Sequence, residues 1–368
     1  MSKLAVGFIT YGKMTAKYLP YFLPSLVRTT DLSRHSFSVG GLSLKAHDST
    51  DAVMIMIIDN TEEEKNENRD FIKSNFPDID FEWAGNNIGF ARAYNRMINK
   101  AMKDGAEYFL AINPDMIFDE EMIGRLMDEI KKDGKTAAVV PKILQWNFEK
   151  REKTNIIDSC GIFITKEHRF SDCDQGKIDD GQMEAKEVFG FSGAAVLFNL
   201  KALEDVAYDK QSNPPNPLLE RGQSKEFFDE LMFMYKEDCD LSYRLRLAGW
   251  KIKLVPNAVA YHHRAVSPKG ESNLKIALNR FRKNKQNKKW SFLNHWIMFS
   301  KFKNLHYSWQ VDFATAFYQF KKIIFALLLE PYLLLELLKL QKIKDEIRKR
   351  EEQLKVRVSM EEMEKWMK

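Results

Sequence analysis

Tyr108-Phe109-Leu110-Ala111-Ile112-Asn113-Pro114-Asp115 is a short apolar run that stops at an amide, a proline and a carboxylate. Consecutive apolar residues without polar alternation predict a strand buried on both faces, as in parallel sheets. Leu4 to Thr10, ending in Thr10-Tyr11-Gly12, has the same form, and so does Val53 to Ile58, ending in Asp59-Asn60. A shorter run, Phe81 to Ala84, leads into Gly85-Asn86-Asn87-Ile88-Gly89. Between these runs the period changes. Phe90, Ala93, Tyr94, Met97, Ile98, Ala101 and Met102 repeat at helical spacing, as do Met122, Ile123, Leu126, Met127 and Ile130, and a further helix is expected around Tyr18 to Val27. Strands alternating with helices predict a parallel sheet covered on both faces. Ligands of such sheets bind beyond the carboxyl ends of the strands. Thr10, Tyr11, Asp59, Asn87 and Asp115 all fall there.

Further along, Val139 to Leu200 reads as short strands and glycine-bearing turns, with mixed or antiparallel pairing expected around Phe189-Gly190-Phe191-Ser192-Gly193-Ala194-Ala195. Phe227 to Gly249 holds the densest set of chemistry-bearing groups. There Leu241, Leu245 and Ala248 form a helical stripe that stops at Gly249. Ile252 and Leu254 continue as a strand, and Ala258 to His263 close the domain. The polar stretch Thr29 to Asp51 reads as a loop or insertion.

A chain of 368 residues exceeds what one core holds comfortably, so one large domain (1–268) with an extension (269–368) is expected. The formal net charge of +5 is too small to argue for a nucleic-acid partner, and none is expected. Three cysteines, Cys160, Cys173 and Cys239, lack metal-ligand spacing and give no disulfide framework. The N-terminal MSKLAVGFITYGK carries no cleavage-site pattern and reads as a first strand, so a cytoplasmic protein is expected.

A carboxylate closing a buried strand stands where a hard cation and phosphate oxygens could meet it. By itself, Asn113-Pro114-Asp115 reads equally as a turn and helix start. Glu237-Asp238-Cys239-Asp240 opens a helix carrying Arg244 and Arg246 near its end, an arrangement that also complements the helix dipole. The aromatic segment before it, Phe227 to Tyr235, would shelter a carboxylate and raise its pKa toward that of a general base. His262-His263 follows an apolar strand. Adjacent strand residues point to opposite faces, so at most one of the two joins a given site.

In this order the segments resemble a family 2 glycosyltransferase of the GT-A fold, in the branch of bacterial rhamnosyltransferases and galactofuranosyltransferases. They are Thr10-Tyr11, Ile58-Asp59-Asn60, Asn87 through Asn95, Asn113-Pro114-Asp115, Phe191-Ser192-Gly193, Phe228-Asp229-Glu230, Tyr235 through Leu241, Arg244, Gly249-Trp250 and Pro256 through His262 to Ser267. The resemblance covers about residues 3 to 270. It implies an α/β architecture of GT-A (Rossmann-like) type: a mostly parallel mixed sheet flanked by helices, with a helical C-terminal extension. It further implies an inverting, metal-dependent transfer from a nucleotide-sugar of dTDP-rhamnose or UDP-sugar type to a glycan or polyprenyl-diphosphate-linked acceptor. Thr10, Tyr11, Asp59, Asn87, Gly89, Phe90, Asn95 and Asn113 would border the donor. Phe191, Ser192, Gly193, Asp240 and Arg244 would lie on the acceptor side. Asp115 and His262 would hold Mn2+ or Mg2+, Asp238 would be the general base, and Glu237 would orient substrate or base. Thr10, Tyr11 and Asp59 would hold the base and ribose, but Gly12 replaces the usual Asn after Thr-Tyr and Thr61-Glu62-Glu63-Glu64 replaces the usual Ser/Thr-Asp pattern, so the resemblance does not fix the details of those contacts.

Residues 269 to 303 contain ten basic residues against Glu271, and ten minus one leaves nine positive charges. Interleaved aromatics (Phe281, Trp290, Phe292, Trp296, Phe299, Phe302) suit an anionic headgroup layer, and oligomer contact is the other expected use. A peripheral position on the inner face of the cell membrane follows. Ile323 to Leu340 is interrupted by Glu330, Pro331, Glu336 and Lys339, too often for the roughly 20 apolar residues of a span. A helix pair broken at Pro331 is expected instead, lying at an interface or packed on the catalytic domain. Two competing readings remain: a nucleotidyltransferase, which would want a glycine-rich basic loop where Thr10 to Lys17 has only Gly12, and a non-catalytic membrane- or nucleic-acid-binding protein.

Overall fold

In the computed structural model, which describes residues 3–29, 53–209, 225–264 and 284–368, the apolar runs become the strands Leu4–Thr10 (β1), Met54–Asp59 (β2), Asp80–Trp83 (β3) and Tyr108–Ile112 (β4). They pair in parallel in the order β4-β1-β2-β3. The connecting helices are Gly12–Ala16 (α1), Leu19–Thr29 (α2), Glu67–Asn75 (α3) and Gly89–Lys103 (α4). The expected insertion falls almost entirely outside the described residues, and Ser267 lies outside them too.

Beyond β4 the chain makes Met116–Phe118 (β5), helix Met122–Ile130 (α5), Thr136–Asn147 (β6) and Glu152–Ser159 (β7). Ile162–Ile164 (β8) and Phe170–Asp172 (β9) form a small ribbon, followed by Lys186–Glu187 (β10), Ala195–Asn199 (β11) and Leu200–Asp205 (α6). The short pair Tyr208–Asp209 (β12) and Lys225–Glu226 (β13), helix Glu237–Leu247 (α7) and strand Lys251–His262 (β14) complete this part. β11 runs antiparallel between β4 and β6, while β6 and β14 pair in parallel, so one mixed sheet has the order β10-β14-β6-β11-β4-β1-β2-β3. β14 unites two pieces that read separately in the sequence. Pro256 has no N–H to give the ladder, and the register shifts between Val255 and Val259 instead of the strand ending.

The two faces of this sheet bury separate cores. Helix α4 lays Ala93, Tyr94, Met97, Ile98 and Ala101 on one face with Phe109, Phe198 and Leu241. On the other, α2 and α5 cover Val6, Phe8, Ile57 and Leu110. The result is a three-layer α/β arrangement that carries β1, β2 and β4 to one carboxyl edge.

The described residues from 284 onward are mostly helical: Lys285–Phe302 (α8), Trp309–Leu329 (α9), a 3-10 turn Pro331–Leu335, Glu336–Lys342 (α10), Lys344–Glu352 (α11) and Met360–Glu364 (α12). The break at Pro331 lies where the sequence places it. Ile297, Met298 and Phe302 of α8 pack with Tyr243 and Leu247 of α7 and with Phe189 in a third core. Of the aromatics expected at a headgroup layer, Phe292 and Phe302 are buried and Trp290 stacks on Phe233 at 4.7 Å, while Phe281 and the basic residues from 269 to 283 lie outside the described residues. The lysines of α8 also turn inward in part. Lys288 pairs with Glu330 at 2.8 Å, and Lys301 is fully enclosed. Among the described residues, no helix is long and apolar enough to cross a membrane.

Candidate active site

Strand register builds the first half of the site. The chain turns sharply after β4, so that β5 runs antiparallel to β14 with Met116 opposite His262. The His263 amide donates to the Asp115 carbonyl at 2.9 Å, which brings the flanking side chains together. His262 Nε2 lies 3.3 Å from Asp115 Oδ1. The other ring nitrogen, Nδ1, lies 2.8 Å from Asp158 Oδ2 on β7, and Arg264 donates to the second Asp158 oxygen at 3.1 Å. Asp115 Oδ1 is buried and meets the His262 ring as an ion pair, although the side chain as a whole is 28% exposed. Burial pushes the Asp115 carboxyl up, but the adjacent imidazole outweighs it and holds the group below its ordinary value. Burial likewise works against the His262 imidazolium, and the two flanking carboxylates overcome it, raising the ring to about 10. The carboxylate of Asp115 and the imidazole of His262 are donor types that divalent cations take, and Asp158 supports the ring from behind, but among the described residues no cluster of three or more histidine, cysteine, aspartate or glutamate side chains is arranged to hold a metal ion.

The second half is reached through a run of backbone contacts. Asn113 N donates to Ala194 O at 2.8 Å, and next to it Gly193 N donates to Asp238 Oδ2 at 3.1 Å. Asp238 Oδ1 accepts from Cys239 N at 2.7 Å, so both oxygens are held while the residue remains partly accessible. Tyr235 and Lys236, just before the helix, both take left-handed backbone (φ 76° and 74°). Two non-glycine residues in that region store strain of a kind that clusters at functional sites. Enclosure raises the Asp238 carboxyl above its ordinary range, against the two amide donors. Burial and the neighbouring Asp238 raise Glu237 well above its own range, and its Oε2 has no hydrogen-bond partner.

Gly89 joins the two loops that flank this cleft. Its φ is +82°, and a Cβ there would stand 2.5 Å from the Phe233 carbonyl, which accepts from Phe90 N at 3.0 Å. Asn87 Oδ1 accepts from Gly89 N at 3.0 Å. The Phe90 ring lies over Gly193, where a Cβ would be 3.3 Å from it. Tyr11 is half-buried at the rim, its hydroxyl 3.1 Å from Glu62. Phe191 is buried against Phe198, and Ser192 is half-buried beside it.

Several residues named from the sequence have their polar atoms taken up by the protein. Asp59 is fully buried and accepts from Thr10 Oγ1, Thr61 Oγ1 and Asn66 Nδ2, tying β1 to β2 beneath the cleft. Asn95 Oδ1 accepts from the amides of Phe227 and Phe228 at 3.1 and 2.9 Å, while Nδ2 donates to Phe228 O and Glu230. Asp240 and Arg244 are ion-paired at 2.9 Å within a buried network. Lys301 of α8 bridges Asp240 and Asp229, and Arg350 of α11 binds Asp229 and Glu226. Asn294 of α8 donates to the carbonyls of Met234 and Tyr235 at 2.8 Å.

Asp158, Lys301, Arg350 and Asn294 escaped the sequence reading. Asp158 lies 104 residues before His262 and only the β6–β7 and β6–β14 pairings bring them together. The one signal in the sequence is an acid inside the apolar strand end Ile156-Ile157-Asp158.

A short segment of 40 residues is 55% identical to an N-acetylglucosaminyl-diphospho-decaprenol L-rhamnosyltransferase of Mycobacterium tuberculosis (strain CDC 1551 / Oshkosh), and the same match is found in strain ATCC 25618 / H37Rv. The match spans 11% of this chain and 13% of that relative. Among solved structures, GalNAc-T7 with UDP, GalNAc and Mn2+ aligns with a TM-score of 0.49 at 14% identity, over 81% of this chain and 51% of that one. The mannosyltransferase PcManGT from Pyrobaculum calidifontis in complex with GDP-Man and Mn2+ aligns with a TM-score of 0.40 at 12% identity, over 94% and 85%. The model of glycosyl transferase family group 2 matches residues 117–338, from β5 into α10. That match takes in more than half of the chain, which therefore belongs to the family 2 glycosyltransferases and is a transferase enzyme.

Proposed function

We propose that this enzyme moves a sugar from a nucleotide-sugar, of dTDP-rhamnose or UDP-sugar type, to a glycan or lipid-linked saccharide of the cell envelope, with inversion at the anomeric carbon. The observation that carries the reading is the convergence of Asp115 Oδ1 and His262 Nε2 at 3.3 Å on one side of the cleft, with Asp238 held by Gly193 on the other. Asp115 and His262 would hold Mn2+ or Mg2+, which when bound neutralises negative charge on the leaving diphosphate. An imidazole donor favours Mn2+ of the two. Asp158 and Arg264 fix the ring so that Nε2 faces the cleft.

On the acceptor side, Asp238 takes the hydroxyl proton as the acceptor oxygen bonds to the anomeric carbon and the bond to the diphosphate breaks. Its raised pKa brings it closer to the range in which a carboxylate removes a proton efficiently. Burial is the main cause of that rise, and Glu237 beside it orients the base. The donor is bordered by Tyr11, Asn87, Gly89, Phe90 and Asn113. Thr10, Asp59 and Asn95 hold the strand ends and loop that shape this pocket, and Asp240 with Arg244 supports the helix of the base from within. The rhamnosyltransferase relative, whose name includes a diphospho-decaprenol carrier, supports a lipid-linked acceptor.

A transfer assay over a panel of nucleotide-sugars tests the proposal, with Mn2+ or Mg2+ and a polyprenyl-diphosphate-linked acceptor. One donor should be consumed with product of inverted configuration, and Asp238→Asn should remove turnover while leaving donor binding intact. Undiminished turnover of Asp238→Asn would refute the assignment of the base.

A further inference from the structure

Helix α9 leaves an apolar face uncovered. Trp309, Phe313, Phe317, Phe320, Ile324 and Leu328 recur every three or four residues and are all exposed, Trp309 by 73% and Leu328 by 76%. At 1.5 Å per residue the stripe is about 28 Å long. Apolar surface of that extent on a folded chain marks an interaction site.

The stripe cannot turn inward, because the opposite face of α9 is tied down by polar contacts. Thr315 Oγ1 donates to the Lys166 carbonyl at 3.0 Å and meets His168 Nδ1 at 2.9 Å. Gln319 Oε1 meets His295 Nε2 at 2.7 Å, and Val311 is buried in the core beneath. What covers the outer face is indicated by the charge around it. Among the described residues from 284 to 342, the exposed lysines are Lys285, Lys303, Lys321, Lys339 and Lys342, against the lone exposed carboxylate Asp312. The other two acids, Glu330 and Glu336, are buried and paired with lysines. A second copy laid stripe to stripe would bring like charges together. An anionic lipid surface complements the aromatic stripe, Lys321 within it, and the net positive charge of the exposed side chains from 284 to 342.

We infer that α9 is the membrane-docking element of this enzyme, lying in the plane of an anionic bilayer with its Trp309-to-Leu328 face among the headgroups and upper acyl chains. Lys321 reaches back over the Phe317 ring, 5.2 Å from its centre, so its charge stays at the headgroup level while the ring enters. This placement differs from that read in the sequence: the docking surface is α9, and the basic-aromatic helix α8 is the strut that holds it.

The test is co-sedimentation of the full chain with phosphatidylcholine vesicles and with mixed phosphatidylcholine–phosphatidylglycerol vesicles, without donor or metal. The wild-type chain should sediment with the mixed vesicles and far less with phosphatidylcholine alone. Combined Phe313→Ser, Phe317→Ser and Phe320→Ser substitution, at exposed positions, should weaken that binding about tenfold or more with an unchanged melting temperature. Lys321→Glu with Lys342→Glu should weaken only the anionic-vesicle binding. Binding that survives both variants would overturn the proposal, as would a wild-type dimer in light scattering that the triple variant converts to a monomer, since a second copy would then cover the stripe. Because vesicle binding is read without turnover, its failure leaves the proposed reaction untouched.

Discussion

At the scale of single residues, the site depends on side chains whose partners can be removed one at a time. Asp158 touches neither the cleft nor the reacting atoms and acts through His262 Nδ1. Asp158→Ala should weaken Mn2+-stimulated turnover about 10- to 100-fold and lower the metal's apparent affinity, while donor binding measured without metal is unchanged. Asn95→Ala leaves the buried amides of Phe227 and Phe228 without an acceptor. At about 1–3 kcal/mol for each unsatisfied group, the denaturation midpoint should fall by an amount corresponding to about 3 kcal/mol. The pH profile carries a sign as well. In the role proposed for it, Asp238 must be ionised to accept a proton, and its carboxyl is raised, so kcat/KM should fall on acidification along a limb above the ordinary carboxylate value.

At the scale of elements, the segment from Glu226 to Asp240 is held by helices that follow it in the chain. Lys301 from α8 and Arg350 from α11 neutralise Asp229 and Asp240 inside the protein. Lys301→Met would leave buried carboxylates uncompensated, a change that costs about 3–5 kcal/mol and should appear as a lower unfolding midpoint. Asp229 shows the linkage to pH. Burial pushes it up, but Lys301 and Arg350 more than reverse that and hold it at about 2. A depressed carboxyl contributes stability that is present above its unfolded value near 3.9 and lost as pH falls through the folded one. Glu226 is raised by burial and opposes this in part. Strands β1, β2 and β4 were legible because nearly all their residues are buried, so β1 and β4 have the bounds their apolar runs give, and α4 was legible because its buried residues repeat at helical spacing; the edge strand β3, with Asp80, Glu82 and Trp83 exposed, starts and ends one residue before the run read for it. Helix α3 was not, since Glu67 to Asn75 buries only Asn68 and Ile72 and shows no stripe. Nor could the sequence place the clamp, because Lys301 looks like one more solvated lysine until Asp229 and Asp240 are brought to it.

At the scale of the whole molecule, the sheet edge collects Asp115 and His262, the β11 segment links them to Asp238, and the C-terminal helices brace that half of the cleft. In the proposed function, Asp115 is the carboxylate that makes donor binding depend on a metal. Titration calorimetry with the cognate nucleotide-sugar, in Mn2+ and in EDTA, tests it most directly. Wild-type protein should bind at least about tenfold more tightly with Mn2+, a coupling of about 1.4 kcal/mol or more, and Asp115→Ala should bind equally in both. Equal Mn2+ enhancement in Asp115→Ala and wild type would contradict it.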